Sequence, residues 1–211
     1  MKKLALMLSV LLISPPTLSN EISNKSIMQW LGNNSTGVKI VDTKKITLEN
    51  GESAILGSVE RPEGTRNSWA TYVLARPSVK KAILLENYGG QTNSIKVLNQ
   101  DTLEGPSIIV VGNAESGQGV SYIKHSVISI DGWNAIELYT VEDYDNLGNC
   151  GPDAYSEREC EASETFLDIS TYNSDSTKPV LIQTRINHKG QSSEMMKAEV
   201  STTMIPLSIV R

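Results

Sequence analysis

Apolar and polar residues alternate with a period near two along most of this chain, in short runs separated by turn residues. Successive strand side chains point to opposite faces, so this pattern predicts half-buried strands. The exception is Asn20 to Leu31, where Ile22, Ile27, Met28 and Leu31 fall on one helical face with Trp30 beside them, and Gly32-Asn33-Asn34 supplies a stop. Strands are predicted at Val38–Leu48, Ser53–Val59, Ser68–Ala75, Lys81–Glu86, Ser94–Leu98, Ser107–Val111, Val120–Ile130, Trp133–Val141, Glu164–Thr171, Val180–His188 and Met195–Val210. Asn50-Gly51 and Asp131-Gly132 read as hairpin turns because these residue types accept positive φ. Ser107–Val111 (SIIVV) is continuously apolar, as suits a strand buried on both faces.

Roughly ten strands with turns between them predict an all-β fold, an antiparallel β-sandwich or barrel-like arrangement of sheets with one short N-terminal helix. No internal repeat supports a propeller, and no low-complexity linker divides residues 20–211, so one β-rich domain is expected.

The first residues modify that picture. Lys2 and Lys3 precede an uncharged run, Leu4 to Ile13, that is too short to span a bilayer. Two prolines and the small residues Thr17 and Ser19 follow, so Met1 to Ser19 is expected to be a cleavable signal peptide and the mature chain a periplasmic protein. Loss of the leader's two lysines takes the formal charge from −5 to −7. An acidic chain offers phosphates no basic face, so nucleic acid is not an expected partner; no later segment is apolar enough for membrane insertion.

The charge is concentrated. Glu142 to Asp168 holds nine acids against Arg158 alone, and both cysteines, Cys150 and Cys160, lie within it. The segment reads as an insertion between two strands, and in an oxidising compartment the cysteines are expected to pair. Three uses compete. It is a solvated loop; or a partner-binding protrusion presenting Asp143, Asp145, Asp153, Glu157, Glu159 and Glu161; or a calcium site using Asp143, Asp145, Asn146 and Asn149. Against calcium, Leu147 and Ala154 stand where an EF-hand loop needs ligands.

Catalytic motifs are scarce. Ala114 to Gln118 lacks the glycines of a serine-hydrolase elbow, Gly112 to Gly119 lacks the ending of a phosphate loop, and S-x-x-K occurs twice without companion motifs. His125 and His188 are the available general bases. The aromatic residues are scattered, as core packing would have them. No catalytic residue, cofactor or metal is therefore expected. The expected function is a non-enzymatic inhibitor or immunity protein whose acidic loop enters a basic or polar cleft of a toxin or envelope-attacking enzyme. The alternatives are an adhesin, pilus-associated or envelope structural module, which needs an exposed sheet edge, and a secreted hydrolase, which needs a histidine beside a nucleophile and an orienting group.

Overall fold

Two antiparallel meanders account for most of the described residues in the computed structural model, which covers residues 22–60, 70–99, 105–151, 159–170 and 179–208. Met1 to Ser19, expected to be a signal peptide, lie outside that set. Strands β1 (Lys39–Thr47), β2 (Ser53–Glu60), β3 (Thr71–Arg76) and β4 (Lys81–Leu84) form a four-stranded sheet in sequence order. A seven-stranded sheet follows: β5 (Thr92–Val97), β6 (Ile109–Gly117), β7 (Val120–Asp131), β8 (Asn134–Asp145), β9 (Cys160–Ser170), β10 (Val180–Gly190) and β11 (Met196–Pro206). The all-β, sandwich-like expectation holds. The larger sheet curls into a half-barrel, so that Lys96 on β5 reaches the carbonyl of Leu167 on β9 at 2.8 Å.

Each strand's alternation assigns its two faces. Between the sheets lies a core of Ile46, Leu56, Tyr72, Leu74, Ile95, Ile109, Val111, Ile128 and Ile130. On the far side of the smaller sheet, Val59, Val73 and Ala75 pack against Ile27 and Leu31 of helix α1 (Asn24–Leu31). Inside the curl, Ile108, Val110, Val127 and Val141 meet Leu167 and Leu181. β3 and the start of β6 are thus sandwiched on both faces, which is why their sequences are continuously apolar. The helix begins at Asn24 rather than Asn20, because the Ser23 side chain caps it by accepting from the Ser26 amide.

The hairpins differ from expectation in detail. At the first, only Gly51 takes positive φ (81°), and the Leu48 amide closes a three-residue loop on the Glu52 carbonyl. At the second, Asp131 pairs with Asn134, so the two-residue loop is Gly132-Trp133 and only Gly132 (φ 59°) is left-handed. A third hairpin was hidden in the glycine-rich stretch: β6 runs on past Val111 to Gly117, and Gln118 (φ 53°) with Gly119 (φ 76°) makes a tight turn into β7.

The two sheets are also tied by polar groups. Tyr72 is fully buried, and its hydroxyl sits among the carbonyls of Gly112 (2.8 Å) and Ser94 (3.2 Å) and the Asn113 Oδ1 (2.9 Å). At one corner, Arg76 donates from Nε to both Glu52 oxygens at 3.1 Å while its guanidinium lies 4.8 Å from the centre of the Trp133 ring. Bonds from Arg76 and then from Ser78 lower the Glu52 pKa from 4.5 to about 2. A carboxylate held below its unfolded value stabilises the fold above that value and loses its contribution as pH falls through the folded one. The stability difference between the native chain and Glu52→Gln is therefore expected to be constant above about pH 5 and to close between pH 4.5 and about 2. Urea melts of both proteins across that range measure it.

Candidate functional site

Much of Glu142 to Asp168, expected to be an insertion between two strands, is itself strand. Glu142, Asp143 and Asp145 complete β8, and Glu161, Glu164 and Asp168 belong to β9, leaving residues 146–159 as the connection. Strand-like alternation here was masked by the density of charge, which reads as solvated loop. Asp153 and Glu157 lie outside the described residues. Cys150 and Cys160 are joined, with Cα atoms 5.0 Å apart, so the connection is closed at its base as expected.

The two strands that flank it barely pair. Asp145–Ala162 is the one ladder contact between β8 and β9 among the described residues. One more backbone bond crosses beside it, from the Asn146 amide to the Glu161 carbonyl at 3.0 Å, and side chains take over from there. Asn146, 4% exposed, accepts from the Glu161 amide through Oδ1 (2.8 Å) and donates from Nδ2 to the Glu159 carbonyl (3.0 Å). The Tyr144 amide donates to Ser163 Oγ at 2.9 Å, and Arg185 reaches from β10 to the Glu142 carbonyl and Ser163 Oγ, each at 3.1 Å. Asp143 Oδ2 accepts from the Thr165 amide (2.8 Å), and Oδ1 from the Thr165 hydroxyl (2.7 Å). The same Oδ2 lies 3.1 Å from His125 Nε2 on β7. Burial pushes the Asp143 pKa up, but the bonds from His125 and Thr165 outweigh it and hold the carboxyl below its usual range.

Asp143 is thus removed from the set of partner-contacting acids: it is 4% exposed and its oxygens already serve three donors. Asp145 is half-buried, and its Oδ1 accepts from the Leu147 amide at 2.7 Å. Glu159 and Glu161 share Lys189, at 2.8 and 2.9 Å, so one of their two charges is offset at the surface. The four oxygen donors proposed for calcium do not form an open cage, since Asp143 and Asn146 would first have to release protein donors. Among the described residues, no three of His, Cys, Asp and Glu converge as a metal would require.

These groups share one end of the half-barrel. The Gln118-Gly119 turn presses on the connection so closely that a Cβ on Gly119 would stand 2.4 Å from the Gly148 carbonyl oxygen. Beside it, an open groove of about 770 Å³ runs between Gln91, the Ser116–Ser121 turn and Leu147. A second cleft, of about 430 Å³, follows the seam and is lined by Ile123, Asp145, Leu147, Glu164, His188 and Met196. Tyr122 and Tyr144 meet nearby with ring centres 5.2 Å apart and planes tilted by 52°, Tyr122 half exposed.

His125 was reached by the sequence only as a lone strand histidine, and the structure gives it an orienting carboxylate. Facing its other side is Gly112, directly opposite in the ladder, and beyond that Ser94. A Cβ on Gly112 would lie 2.4 Å from Ser94 Oγ and 3.7 Å from His125 Nδ1, so the missing side chain leaves space between serine and histidine. No hydrogen bond joins Ser94 to His125 among the described residues. The pair supplies a base and its orienter without a contacting nucleophile, and its demonstrable work is to hold the β8–β9 seam. Thr165 was not singled out from the sequence; no local signal marks it.

No known family model, curated protein or solved structure matches this chain.

Proposed function

We propose that this chain is an exported, non-enzymatic binding protein of the periplasm. In this reading it is an inhibitor or immunity protein that engages a toxin or envelope-attacking enzyme through the β8–β9 connection. The observation that carries the proposal is the Cys150–Cys160 bond closing that connection at its base, with the Gln118-Gly119 turn packed against it. A segment fixed before encounter loses less entropy on docking, which is how a short protrusion gains affinity. The carboxylates at its roots, Asp145, Glu159 and Glu161, would steer a basic or polar cleft toward it.

The test is binding of the mature protein to the purified secreted effector encoded beside it, followed by interferometry. Paired replacement Cys150→Ser and Cys160→Ser is expected to cost stability about 2.7 kcal/mol, the chain-entropy value for so small a loop. Binding is expected to weaken at least as much, with Glu159→Gln and Glu161→Gln reducing the association rate and its salt dependence. An effector that binds all these variants as tightly as the native chain would remove the reading.

A further inference from the structure

Sheet edges offer unpaired amides and carbonyls to any passing strand, and folded proteins guard them with short strands, bulges, inward charges or covering elements. Three of the four edges here are guarded in those ways. β1 carries Lys39, Asp42, Lys44 and Lys45 and a bulge between Ile40 and Asp42. β4 is four residues long, and its Ala82 and Leu84 lie against the helix cluster. β5 is six residues long, with Lys96 turned across the curl to Leu167.

Among the described residues, β11 is neither short, nor bulged, nor covered. Its eleven residues pair with β10 without a register shift, its proline is the last of them, and every residue from Lys197 to Met204 is exposed. Its charges, Lys197 and Glu199, sit near one end, and Val200 to Pro206 (VSTTMIP) has none. Cross-strand pairing places Val200 beside Ile186 and Met204 beside Ile182, with Phe166 on the same face. Phe166, Val200 and Met204 are 50%, 64% and 65% exposed. This edge thus continues an apolar surface.

We propose that β11 pairs antiparallel with β11 of a second copy of this chain, about a two-fold axis at Ser201, joining the two larger sheets into one. The strand is self-complementary in that register. All eleven residues pair, and even-numbered residues meet even-numbered ones, so the apolar faces of the two copies become continuous. Lys197 falls opposite Ile205 and Glu199 opposite Thr203 of the second copy, so no like charges oppose each other. The uncharged stretches meet at the centre. A two-fold at Ala198 would match Lys197 with Glu199, but it would leave the uncharged, apolar end unpaired. Met196 at the start of β11 lines the seam cleft, but the test below reads chain mass and cross-linking at Ser201 rather than effector binding, so this inference stands or falls apart from the proposed function.

Light scattering on the mature protein is expected to give twice the chain mass. Ser201→Lys, which sets two ammonium groups against each other at the axis, is expected to give the single-chain mass with an unchanged circular dichroism spectrum. Ser201→Cys is expected to cross-link the copies under mild oxidation, whereas Thr203→Cys, facing Glu199, is not. The cysteine pair decides the matter should the lysine variant fail to fold. A single-chain mass up to the solubility limit, or a dimer that Ser201→Cys does not cross-link, overturns the proposal.

Discussion

Asp143→Ala is expected to destabilise the protein by about 3–5 kcal/mol, because a buried carboxylate that accepts three hydrogen bonds is lost and its donors are left without an acceptor. The loss is large because this carboxylate takes the place of ladder bonds. Its oxygens hold the Thr165 amide and hydroxyl and the His125 ring, where Asp145–Ala162 is the one ladder pair between β8 and β9 among the described residues. Without it, the Thr165 amide is left buried with no acceptor, and water must enter the seam. The effect should be local as well as global. Amide exchange at Thr165 and its neighbours on β9 is expected to quicken more than exchange in β6, which is buried on both faces. Because Asp143 is held below its usual pKa, its contribution belongs to neutral pH and fades in acid; the variant and native chain should converge as the carboxyl protonates. Urea melts at neutral and acid pH measure the convergence. Equal exchange rates on β9 in the two proteins would mean that the seam is held by Asn146 and Ser163 alone.

Tyr72→Ala is expected to cost about as much, 3–5 kcal/mol as for other large aromatic truncations, but for a different reason. Tyr72 is the largest fully buried side chain among the described residues, and it lies where both sheets converge. Truncation leaves a cavity that two rigid sheets cannot collapse to fill. Tyr72→Phe separates the ring from its hydroxyl. The ring keeps its packing, while the oxygens of Gly112, Ser94 and Asn113 lose their donor, at an expected cost of about 1–3 kcal/mol. Thermal melts of the two variants give the partition. A phenylalanine variant as stable as the native protein would mean that water satisfies those carbonyls, and the hydroxyl would then be a tolerated passenger of the ring.

Both predictions concern residues whose importance the sequence did not announce. Tyr72 stood in an apolar run, and the run itself was sufficient to mark a buried strand. The reach of its hydroxyl into the opposite sheet required knowing which strands face each other. Asp143 was read as one acid in a charged cluster, and its association with His125 depends on a single irregularity. Counting back from the Asp131–Asn134 pair, a regular hairpin would set His125 opposite Thr140 and turn Asp143 to the other face. One extra β8 residue, at the register shift after Val127, sets His125 opposite Val141 instead and brings Asp143 to its side. Nothing local in the sequence identifies that bulge.

By itself the sequence determined where most strands lie, the antiparallel class and the disulfide. Those follow from short-range causes: side-chain alternation, turn residues that accept left-handed backbone, and two cysteines with no other partner. The tertiary structure decided which acids are buried, which edges are guarded and which side chains meet across strands. Burial and pairing depend on register, on sheet curl and on which faces close together, and each is set by contacts between residues far apart in the chain. Charge density identified Glu142 to Asp168 as unusual, but only folding divided it into a structural carboxylate, a lysine-bridged pair and a stapled connection.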